Sequence, residues 1–505
     1  MRLPHALRFA FAVSLAVGCT DPAPVAPDAT VADVADVAAP DRAPPEDLAP
    51  DLPPPRAPLP AVEGLPELAD EDPAPGVVQV SITAAPTTVT WRAGRETSVI
   101  AYNGLIPGPL LHARVGDTVR VRFRNELDEE TTVHWHGLRI SDLMDGSPAI
   151  QEPVRPGGTF TYEFVVRDAG TFWYHSHVNT EQQIDRGLYG AIVVHEAEPP
   201  VVDRERLFVL DDVRLDTNGQ IGPTLTSGPD VGRGRLGNVL LTNGRTERLT
   251  ANAPRNAVER WRILNAANAR SLRVRVDGAR WKVVGTDGGL LPEPYEPNEF
   301  TIAPGQRFEL EVRMEDPESA AAQLVAMVPV AVGSAVEDRD FILAEVGFEG
   351  EVEPRPAWVA PNVTLPDTSP AGALARSWML SGAVVDGGVE FTVNGRAGVG
   401  HGGHGPVGEP VDRVAQMTPV RITLRSNVSP EHPFHLHGQF FQIVAPELRA
   451  AEEPGLKDTV LVRGAEPVTV LTWYENPGRW MFHCHIAEHA ERGMMGEVVV
   501  IPRSE

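Results

Sequence analysis

The 505-residue sequence predicts an all-β protein built from three tandem β-sandwich domains. From about Val77 onward, short runs that alternate apolar and polar residues recur between turn residues, as in "TVRVRFRNEL" and "TFTYEFVV". Such alternation puts one face of a strand against a core, and the spacing of the runs is typical of sandwiches. Few long helical patterns compete, and at about 150 residues per domain the length accommodates three domains.

The strand-like runs fall into three sets, which give the expected domain limits. Domain one, 76–198, contains "TVRVRFRNEL" and "GAIVVHE". Domain two, 199–355, contains "RLFVLDDVRL" and "RFELEVRM", and domain three, 356–505, contains "PVRITLRSN" and "VTVLTWY". The Pro-rich stretch 350–372 indicates the second boundary, because proline clusters mark connections between periodic segments.

The residues before the first domain carry different signals. Arg2 and Arg8 accompany an apolar run too short to span a membrane, which predicts an export signal over 1–19. The ending "LAVGC" resembles a bacterial lipoprotein processing site, so we expect lipidation of Cys19; plain secretion is the alternative. Residues 20–75, rich in Pro, Ala and Asp, predict a disordered spacer. The protein would then be periplasmic or at the cell surface, held by a lipid anchor.

Charge and cysteine content exclude some classes of function. The formal net charge of −25 argues against a nucleic-acid partner, whose phosphates require a basic face. Beyond Cys19 the only cysteine is Cys484, so no intrachain disulfide framework is expected.

Ten of the fifteen histidines lie in four short clusters, HWHG, HSH, HPFHLHG and HCHIAEH. The first two clusters fall in domain one, the last two in domain three, and domain two has no histidine. On a strand, residues two apart face the same way, so each His-X-His pair directs two imidazoles at one point. Neutral imidazole suits copper, zinc and iron. Four such pairs predict a metal cluster shared by domains one and three.

Cys484 lies between two histidines of the last cluster and therefore faces the opposite side of the same strand. A second metal there could also draw His489 and Met494 from the following loop, and His432 from the third cluster. Two histidines, one thiolate and a weak methionine ligand define a blue-copper electron-transfer site. The backbone on either side of Cys484 would give an electron a short bonded path to the histidine cluster.

These motifs, in this order, resemble those of the multicopper oxidases, three-domain laccase-like branch. The resemblance covers about residues 76–505 and includes "NGLIPGPLL", "TVHWHGL", "GTFWYHSH", "HPFHLHG" and "NPGRWMFHCHIAEH". It implies three cupredoxin-like Greek-key domains. It also implies four copper ions: one type 1, one type 2 and a type 3 pair.

The resemblance also implies a ligand for each copper. The type 1 copper would be held by His432, Cys484 and His489, with Met494 in the axial position. The type 2 copper would be held by His134 and His435. The type 3 ligands would be His136, His175, His177, His437, His483 and His485.

Oxygen reduction consumes protons, so an acid near the cluster is expected. Asp145 in "MDGSP" matches the family's acidic residue near the type 2 copper; an Asp-Gly turn is the alternative. Related bacterial enzymes often carry Glu directly after the last histidine ligand, where this chain has Ala490, with Glu491 displaced by one. Glu488 could support the adjacent ligand His489 as a catalytic carboxylate, or be a solvated loop residue.

Five further residues lie outside this ligand set. Asp458 in "LKDTVLV" could orient a ligand histidine through a hydrogen bond. His401 and His404, in "AGVGHGGHGPVG", could bind a loose metal ion or rim the substrate site, although a plain Gly-rich loop is favoured. His112 and His195 are expected to be ordinary strand or loop residues.

The function that follows is a laccase-like oxidase of phenols and aromatic amines, with O2 as acceptor and a substrate site near His432 and His489. One alternative is a metallo-oxidase for Cu(I), Mn(II) or Fe(II) in copper tolerance. The chain has only nine methionines and no methionine-rich run, which argues against Cu(I) as the substrate. Two non-enzymatic alternatives are a cell-envelope scaffold of the same fold and a single-copper electron carrier. A monomer is expected, because three domains can form the whole site within one chain.

Overall fold

Each third of the chain folds as two β-sheets that face each other across an apolar core. The computed structural model describes residues 58–222, 229–332, 335–356, 363–385, 388–398, 408–428, 431–464 and 466–503. The predicted all-β class of three cupredoxin-like domains is confirmed. Cys19, His401 and His404 lie outside the described residues, and so does most of the predicted spacer.

Domain one is a sandwich of two four-stranded sheets. In spatial order, the first sheet comprises Arg95–Tyr102, Val77–Arg92, Thr118–Asn125 and Thr159–Val165. The second comprises Gly108–Arg114, Tyr189–His195, Gly170–His175 and His134–His136. The histidine-bearing strands thus form one edge of the second sheet.

Domain two has a seven-stranded and a five-stranded sheet. The larger follows the order Val62–Glu63, Arg204–Val213, Val258–Asn265, Arg307–Arg313, Arg280–Thr286 and Gly289–Tyr295, with Val239–Thr242 beside the second of these. The smaller follows the order Leu249–Arg255, Ala335–Glu351, Ala321–Val332, Leu272–Asp277 and Phe300–Ile302.

Domain three has two five-stranded sheets. The first follows the order Gly388–Val393, Leu374–Val385, Val420–Ser426, Val468–Thr472 and Phe441–Ala445. The second follows the order Asp412–Ala415, Met495–Ile501, Gly478–Cys484, His432–Leu436 and Thr459–Val462. Two histidine motifs therefore lie on adjacent strands inside this sheet.

Alternation in the sequence becomes alternation of burial in the strands. In Thr118–Asn125 the residues Val119, Val121 and Phe123 are buried in the core, while the residues between them are partly or fully exposed. This is the arrangement expected when one face of a strand packs against the other sheet.

Helices are short and confined to connections. They comprise the α-helices Thr180–Gln183, Pro229–Arg233, Glu447–Glu452 and Ala487–Glu491 and the 3₁₀ turn Asp142–Met144. None of the described helices has the length and apolar character needed to span a bilayer.

Two features differ from the expectation. Ordered structure begins upstream of residue 76, because Val62–Glu63 pairs with the strand Arg204–Val213 and buries Val62 and Leu65. The runs "VVQVSIT" and "TVTWRAG", whose pattern predicts two separate strands, form one strand, Val77–Arg92. That strand pairs parallel to Thr118–Asn125 over its first half and antiparallel to another strand over its second.

Candidate metal centre

The first two histidine motifs lie on neighbouring strands of domain one. His134–His136 pairs antiparallel with Gly170–His175, which sets His134 opposite His175. The rings of these two residues have centroids 5.2 Å apart, and the ring of His177 lies 5.2 Å from that of His134. Strand pairing thus gathers residues that are some forty positions apart in sequence.

The last two motifs lie on neighbouring strands of domain three. His432–Leu436 pairs antiparallel with Gly478–Cys484, which sets His435 opposite His483. The centroids of these two rings are 5.5 Å apart, and the ring of His437 lies 5.2 Å from that of His483.

The two sets of rings meet between domains one and three. His134 stacks on His437 with centroids 3.9 Å apart, and His136 stacks on His435 at 3.7 Å. His485 adds a further ring 5.1 Å from that of His136. All eight histidines are buried, with none more than 6% exposed. The structure therefore brings together the eight residues that the sequence predicted for one cluster.

In three of these rings one nitrogen is hydrogen-bonded to the backbone and the other is left without a partner. In His134, His175 and His435, Nδ1 lies 2.8–3.0 Å from a backbone carbonyl oxygen to which it can donate. The Nε2 atoms of the same rings are buried and have no hydrogen-bond partner among the described residues. An unpartnered buried nitrogen costs free energy, and a bound metal ion removes that cost. The carbonyl contacts are those that fix the tautomer of metal-ligating histidines.

Burial favours the neutral form of seven histidines in and beside the cluster, and the neutral form is the one that binds metals. It lowers the pKa of His432 to about 4 and, with neighbouring histidines, that of His485 to about 3. The same cause lowers the pKa of five further histidines: His136, His175, His435, His437 and His489.

A second group of donors surrounds Cys484 on the other face of its strand. The Sγ atom lies 3.4 Å from His489 Nδ1 and 3.7 Å from His432 Nδ1, and these two nitrogens are 3.1 Å apart. Met494 is buried beside them; its carbonyl accepts from the Cys484 N–H at 3.0 Å. Burial raises the pKa of the Cys484 thiol, so a thiolate there requires a bound cation.

Asp145 joins two histidines from different domains. Its Oδ2 accepts from His437 Nδ1 at 2.9 Å, and its Oδ1 lies 3.3 Å from His134 Nδ1. The residue is only 2% exposed. A carboxylate is thus in direct contact with two rings of the cluster, as the sequence suggested.

Asp458 also contacts the cluster. Its Oδ1 lies 3.1 Å from His136 Nε2, and its backbone carbonyl accepts from His435 Nδ1 at 3.0 Å. The carboxylate is clamped by Arg307, whose Nη1 and Nη2 donate to it at 2.7 and 2.6 Å. Arg307 was not singled out from the sequence, because it belongs to the domain without histidines and lies 151 residues away.

Glu488 is fully buried, but its carboxylate faces domain two. Both of its oxygens accept from Asn268 Nδ2, at 2.8 and 3.1 Å, and Oε1 lies 3.5 Å from Arg235 Nε. The adjacent Ala487 N–H donates to Asn268 Oδ1 at 3.2 Å. These contacts fasten the helix that carries His489 to domain two.

The two residues after His489 have separate surroundings. Ala490 packs in a small apolar cluster with Met481 and Met495. Glu491 turns to domain one, where its carboxylate accepts from the N–H and the hydroxyl of Thr180 at 2.7 and 2.8 Å.

Domain two covers the ring of His489. The Nε2 atom lies 3.3 Å from the carbonyl oxygen of Gly232, in the helix Pro229–Arg233. Val231 of this helix is fully buried in the core of domain three. His489 and His432 are both 0% exposed.

His112 and His195 lie in strands, as expected from the sequence, and their rings contact each other. Both residues are buried and their Nε2 atoms are 2.6 Å apart, so one ring donates to the other. Glu67 and Glu205 lie 3.4 and 3.8 Å from the outer nitrogens. The two histidines lie on paired strands, 83 residues apart, and no local pattern in the sequence indicates this contact.

Family comparison agrees with the geometry. Residues 83–199, 216–323 and 388–504 each match a family model described as multicopper oxidase. Multicopper oxidase MmcO of Mycobacterium tuberculosis is 30% identical over 462 residues, covering 83% of this chain and 86% of that protein. Laccase-2 of Cryptococcus neoformans var. grubii is 29% identical over 496 residues, covering 81% of this chain and 82% of that protein.

The fold has solved counterparts as well. A multicopper oxidase from Campylobacter jejuni, described as a metallo-oxidase, aligns with a TM-score of 0.74 at 26% identity. The alignment covers 88% of this chain and 95% of that one. The chain belongs to the multicopper oxidase family.

The donor set fits the coppers of that family. Multicopper oxidases hold type 1, type 2 and type 3 copper, use an electron-donating substrate and have O2 as acceptor. Imidazole nitrogens in a buried cluster, and a sulfur with two imidazoles beside a methionine, are the ligands that copper takes in such sites.

Proposed function

We propose that this oxidase is laccase-like and takes single electrons from phenols or aromatic amines. The observation that carries the proposal is the placement of Cys484. Its sulfur belongs to a small donor group with two histidines, while its chain neighbours His483 and His485 belong to the eight-histidine cluster. A one-electron entry site is thereby bonded directly to a site that can collect several electrons.

The ligand assignment is part of the proposal. His432, Cys484 and His489 would hold the type 1 copper, with Met494 axial. His134 and His435 would hold the type 2 copper. The type 3 pair would be held by His136, His175, His177, His437, His483 and His485. The unpartnered Nε2 atoms of His134 and His435 and the triad His177, His437 and His483 support these groupings.

Bound copper would supply one-electron acceptance at the type 1 site and four-electron reduction of O2 to two waters at the cluster. The chain's own residues orient and insulate these sites. Asp145 holds His437 and His134 in place and offers a buried carboxylate where protons are consumed. Ala490 has no proton to give, and Glu491 is engaged with Thr180, so we assign proton delivery to Asp145.

A metallo-oxidase for Cu(I), Mn(II) or Fe(II) is the second candidate. The burial of His489 under the Gly232 carbonyl favours it, because a bulky phenol cannot touch the ring directly. The Campylobacter jejuni neighbour is described as a metallo-oxidase. A copper-free envelope scaffold receives no support, since a protein without copper would gain nothing from burying so many unpartnered nitrogens.

The sequence also supports proposals on the export, the domain limits and the oligomeric state of the protein. We propose export to the periplasm or cell surface by a signal over 1–19, with lipidation of Cys19 as the anchor. We also propose that the domains span 76–198, 199–355 and 356–505, and that the enzyme works as a monomer. Mass spectrometry of protein from native membranes tests the anchor, because a lipidated Cys19 would be the first residue of the mature chain.

The donor class is tested by oxygen consumption of copper-loaded protein. We would compare a phenol, an aromatic amine, Cu(I), Mn(II) and Fe(II), with Cys484→Ser as the control for uncatalysed oxidation. Faster turnover of the organic donors supports the laccase-like proposal. Turnover confined to metal ions would overturn it in favour of the metallo-oxidase.

A further inference from the structure

Domain two supplies no histidine, yet one of its loops reaches the histidine cluster. Gly305 lies in that loop at a φ of +85°, and a Cβ there would lie 3.0 Å from His485 Cδ2 and 3.2 Å from His136 Cε1. Glycine is the residue that tolerates both this backbone conformation and this close approach. The loop leads directly into Arg307, the first residue of the strand Arg307–Arg313.

Arg307 is fully buried, and its guanidinium uses all five of its N–H groups. Nε donates to the Thr171 carbonyl at 2.8 Å, Nη1 to the Gly305 carbonyl at 3.0 Å and Nη2 to the Asp287 carbonyl at 2.8 Å. The remaining two donate to the two carboxylate oxygens of Asp458 at 2.7 and 2.6 Å. This fork balances a carboxylate that would be very unfavourable if it were buried alone.

Asp458 passes this constraint to the histidines. Its Oδ1 accepts from His136 Nε2 at 3.1 Å, which leaves Nδ1 as the unpartnered nitrogen of that ring. In His134 and His435 the unpartnered nitrogen is Nε2 instead. His136 thus presents the opposite nitrogen to the cluster, and its Nε2 contacts Asp458 Oδ1 and, at the longer distance of 3.4 Å, Thr459 Oγ1.

The glycine of the HWHG motif makes room for the same ion pair. Gly137 has a φ of +90°, and a Cβ there would lie 2.6 Å from Arg307 Nη2 and 2.7 Å from Asp458 Oδ2. Three domains therefore converge here, each contributing one part: the glycine, the arginine and the carboxylate.

We propose that Arg307 is a positioning residue for the copper cluster, acting through Asp458 to set the orientation and tautomer of His136. The inference rests on the ligand assignment of the proposed function. It gives domain two a role in the oxygen-reducing site. A lysine cannot fill this role, because its single ammonium group cannot form the planar fork or reach all five acceptors.

The test compares Arg307→Lys with Arg260→Lys, both in copper-loaded full-length protein. Arg260 is the matched control because it is equally buried in domain two, and its guanidinium hydrogen-bonds Glu196 and Glu309 rather than Asp458. The readouts are copper per chain, the blue absorption of the type 1 site, the copper signals in electron paramagnetic resonance (EPR) and oxygen consumption. The blue band serves as an internal measure of the proposed function, because the type 1 site does not contact Arg307.

We expect Arg307→Lys to keep the blue band, to lose copper from the cluster or show EPR signals of an uncoupled type 3 pair, and to consume oxygen 10–100-fold more slowly. Arg260→Lys should match wild type in copper content and EPR. If the two variants had equal copper content and EPR signals, the inference about Arg307 would be overturned. A blue band retained in both variants would still support the proposed function. A wild type without a blue band would overturn both.

A second variant keeps the inference testable if Arg307→Lys does not fold. The double substitution Arg307→Met with Asp458→Leu removes both charges together, so no charge is left buried alone. We expect it to fold, to keep the blue band and to lose cluster copper. A folded double variant with wild-type copper content and EPR would contradict the proposal.

Discussion

Asp145 and Asp458 approach the histidine cluster from different sides, and each contacts rings from both domains one and three. Asp145 contacts His437 and His134, whereas Asp458 contacts His136 and His435. They differ in their own partners: Asp458 is clamped by an arginine, and Asp145 is not. We therefore assign orientation to Asp458 and proton delivery to Asp145.

Asp145→Asn tests the second assignment. The amide can still occupy the space beside His437, but it cannot carry a proton to the site. We expect the blue band and its reduction by substrate without oxygen to remain, while oxygen turnover falls roughly 10–100-fold. Asp142→Asn is the control: this nearby carboxylate accepts from the Arg479 N–H at 2.9 Å. Equal turnover of the two variants would remove the proton role from Asp145.

At the scale of residues, the sequence predicts the metal ligands better than it predicts the residues that position them. The His-X-His pairs are readable because strand geometry fixes the direction of residues two apart. The Arg307–Asp458 clamp and the Glu488–Asn268 contact join residues 151 and 220 positions apart. No local pattern indicates either, because the partners meet only after the domains dock.

At the scale of elements, the helix Ala487–Glu491 links His489 to its surroundings. Glu488 is bound by Asn268 of domain two, and Glu491 is bound by Thr180 of domain one. The helix is only five residues long and would not be stable alone. Its position therefore depends on these contacts between domains.

Glu488→Gln distinguishes an anchor from a catalytic acid. The amide keeps the shape but loses the charge that accepts from Asn268, so we expect a loss of about 1.5–3 kcal/mol in the free energy of unfolding. The pH dependence of oxygen consumption should stay that of wild type. The exposed Glu447→Gln is the control and should change stability by less than about 0.5 kcal/mol. A shifted pH profile at unchanged stability would restore the catalytic role.

Strands were predictable as elements, but their extent was not. Runs such as "TVRVRFRNEL" alternate cleanly and become the strand Thr118–Asn125. The strand Val77–Arg92 appears as two runs in the sequence. Its two halves pair with different neighbouring strands, and such pairing is set by the tertiary structure. Short connecting helices such as Glu447–Glu452 leave too few turns for a periodic signal.

At the scale of the whole molecule, the copper-free protein buries many neutral histidines. Burial lowers the pKa of His432 to about 4 and that of His485 to about 3, from an ordinary value of 6.5. As pH falls below 6.5 the unfolded chain gains protons that the folded chain resists. Stability therefore decreases by up to about 1.4 kcal/mol per pH unit for each such histidine, until its folded pKa is reached.

We expect the Tm of copper-free protein to fall as pH is lowered from about 7 to 5. Five carboxyl groups oppose the trend, because burial raises the pKa of Asp185 to about 7 and also raises the pKa of Glu181, Asp211, Asp212 and Asp287. Nine histidines have a lowered pKa, so the loss should dominate. Thermal unfolding followed by circular dichroism measures it. A Tm that is constant or rises over this range would contradict the account.

The three-domain class can be predicted from the sequence, because the alternation of residues within strands and the spacing of the strands do not depend on how the domains pack together. The contacts between domains cannot be predicted in this way, because the ion pairs and the contact of His489 with Gly232 form only when the domains pack against each other. The substrate route belongs to this second group.

The central claim, a type 1 site bonded to a trinuclear cluster, is tested most directly by copper content and the visible spectrum of copper-loaded protein, with and without Cys484→Ser. The account predicts about four coppers per chain and an intense blue band in the wild type. In Cys484→Ser the band should vanish while the cluster coppers remain. Little copper and no blue colour in fully loaded wild type would contradict it.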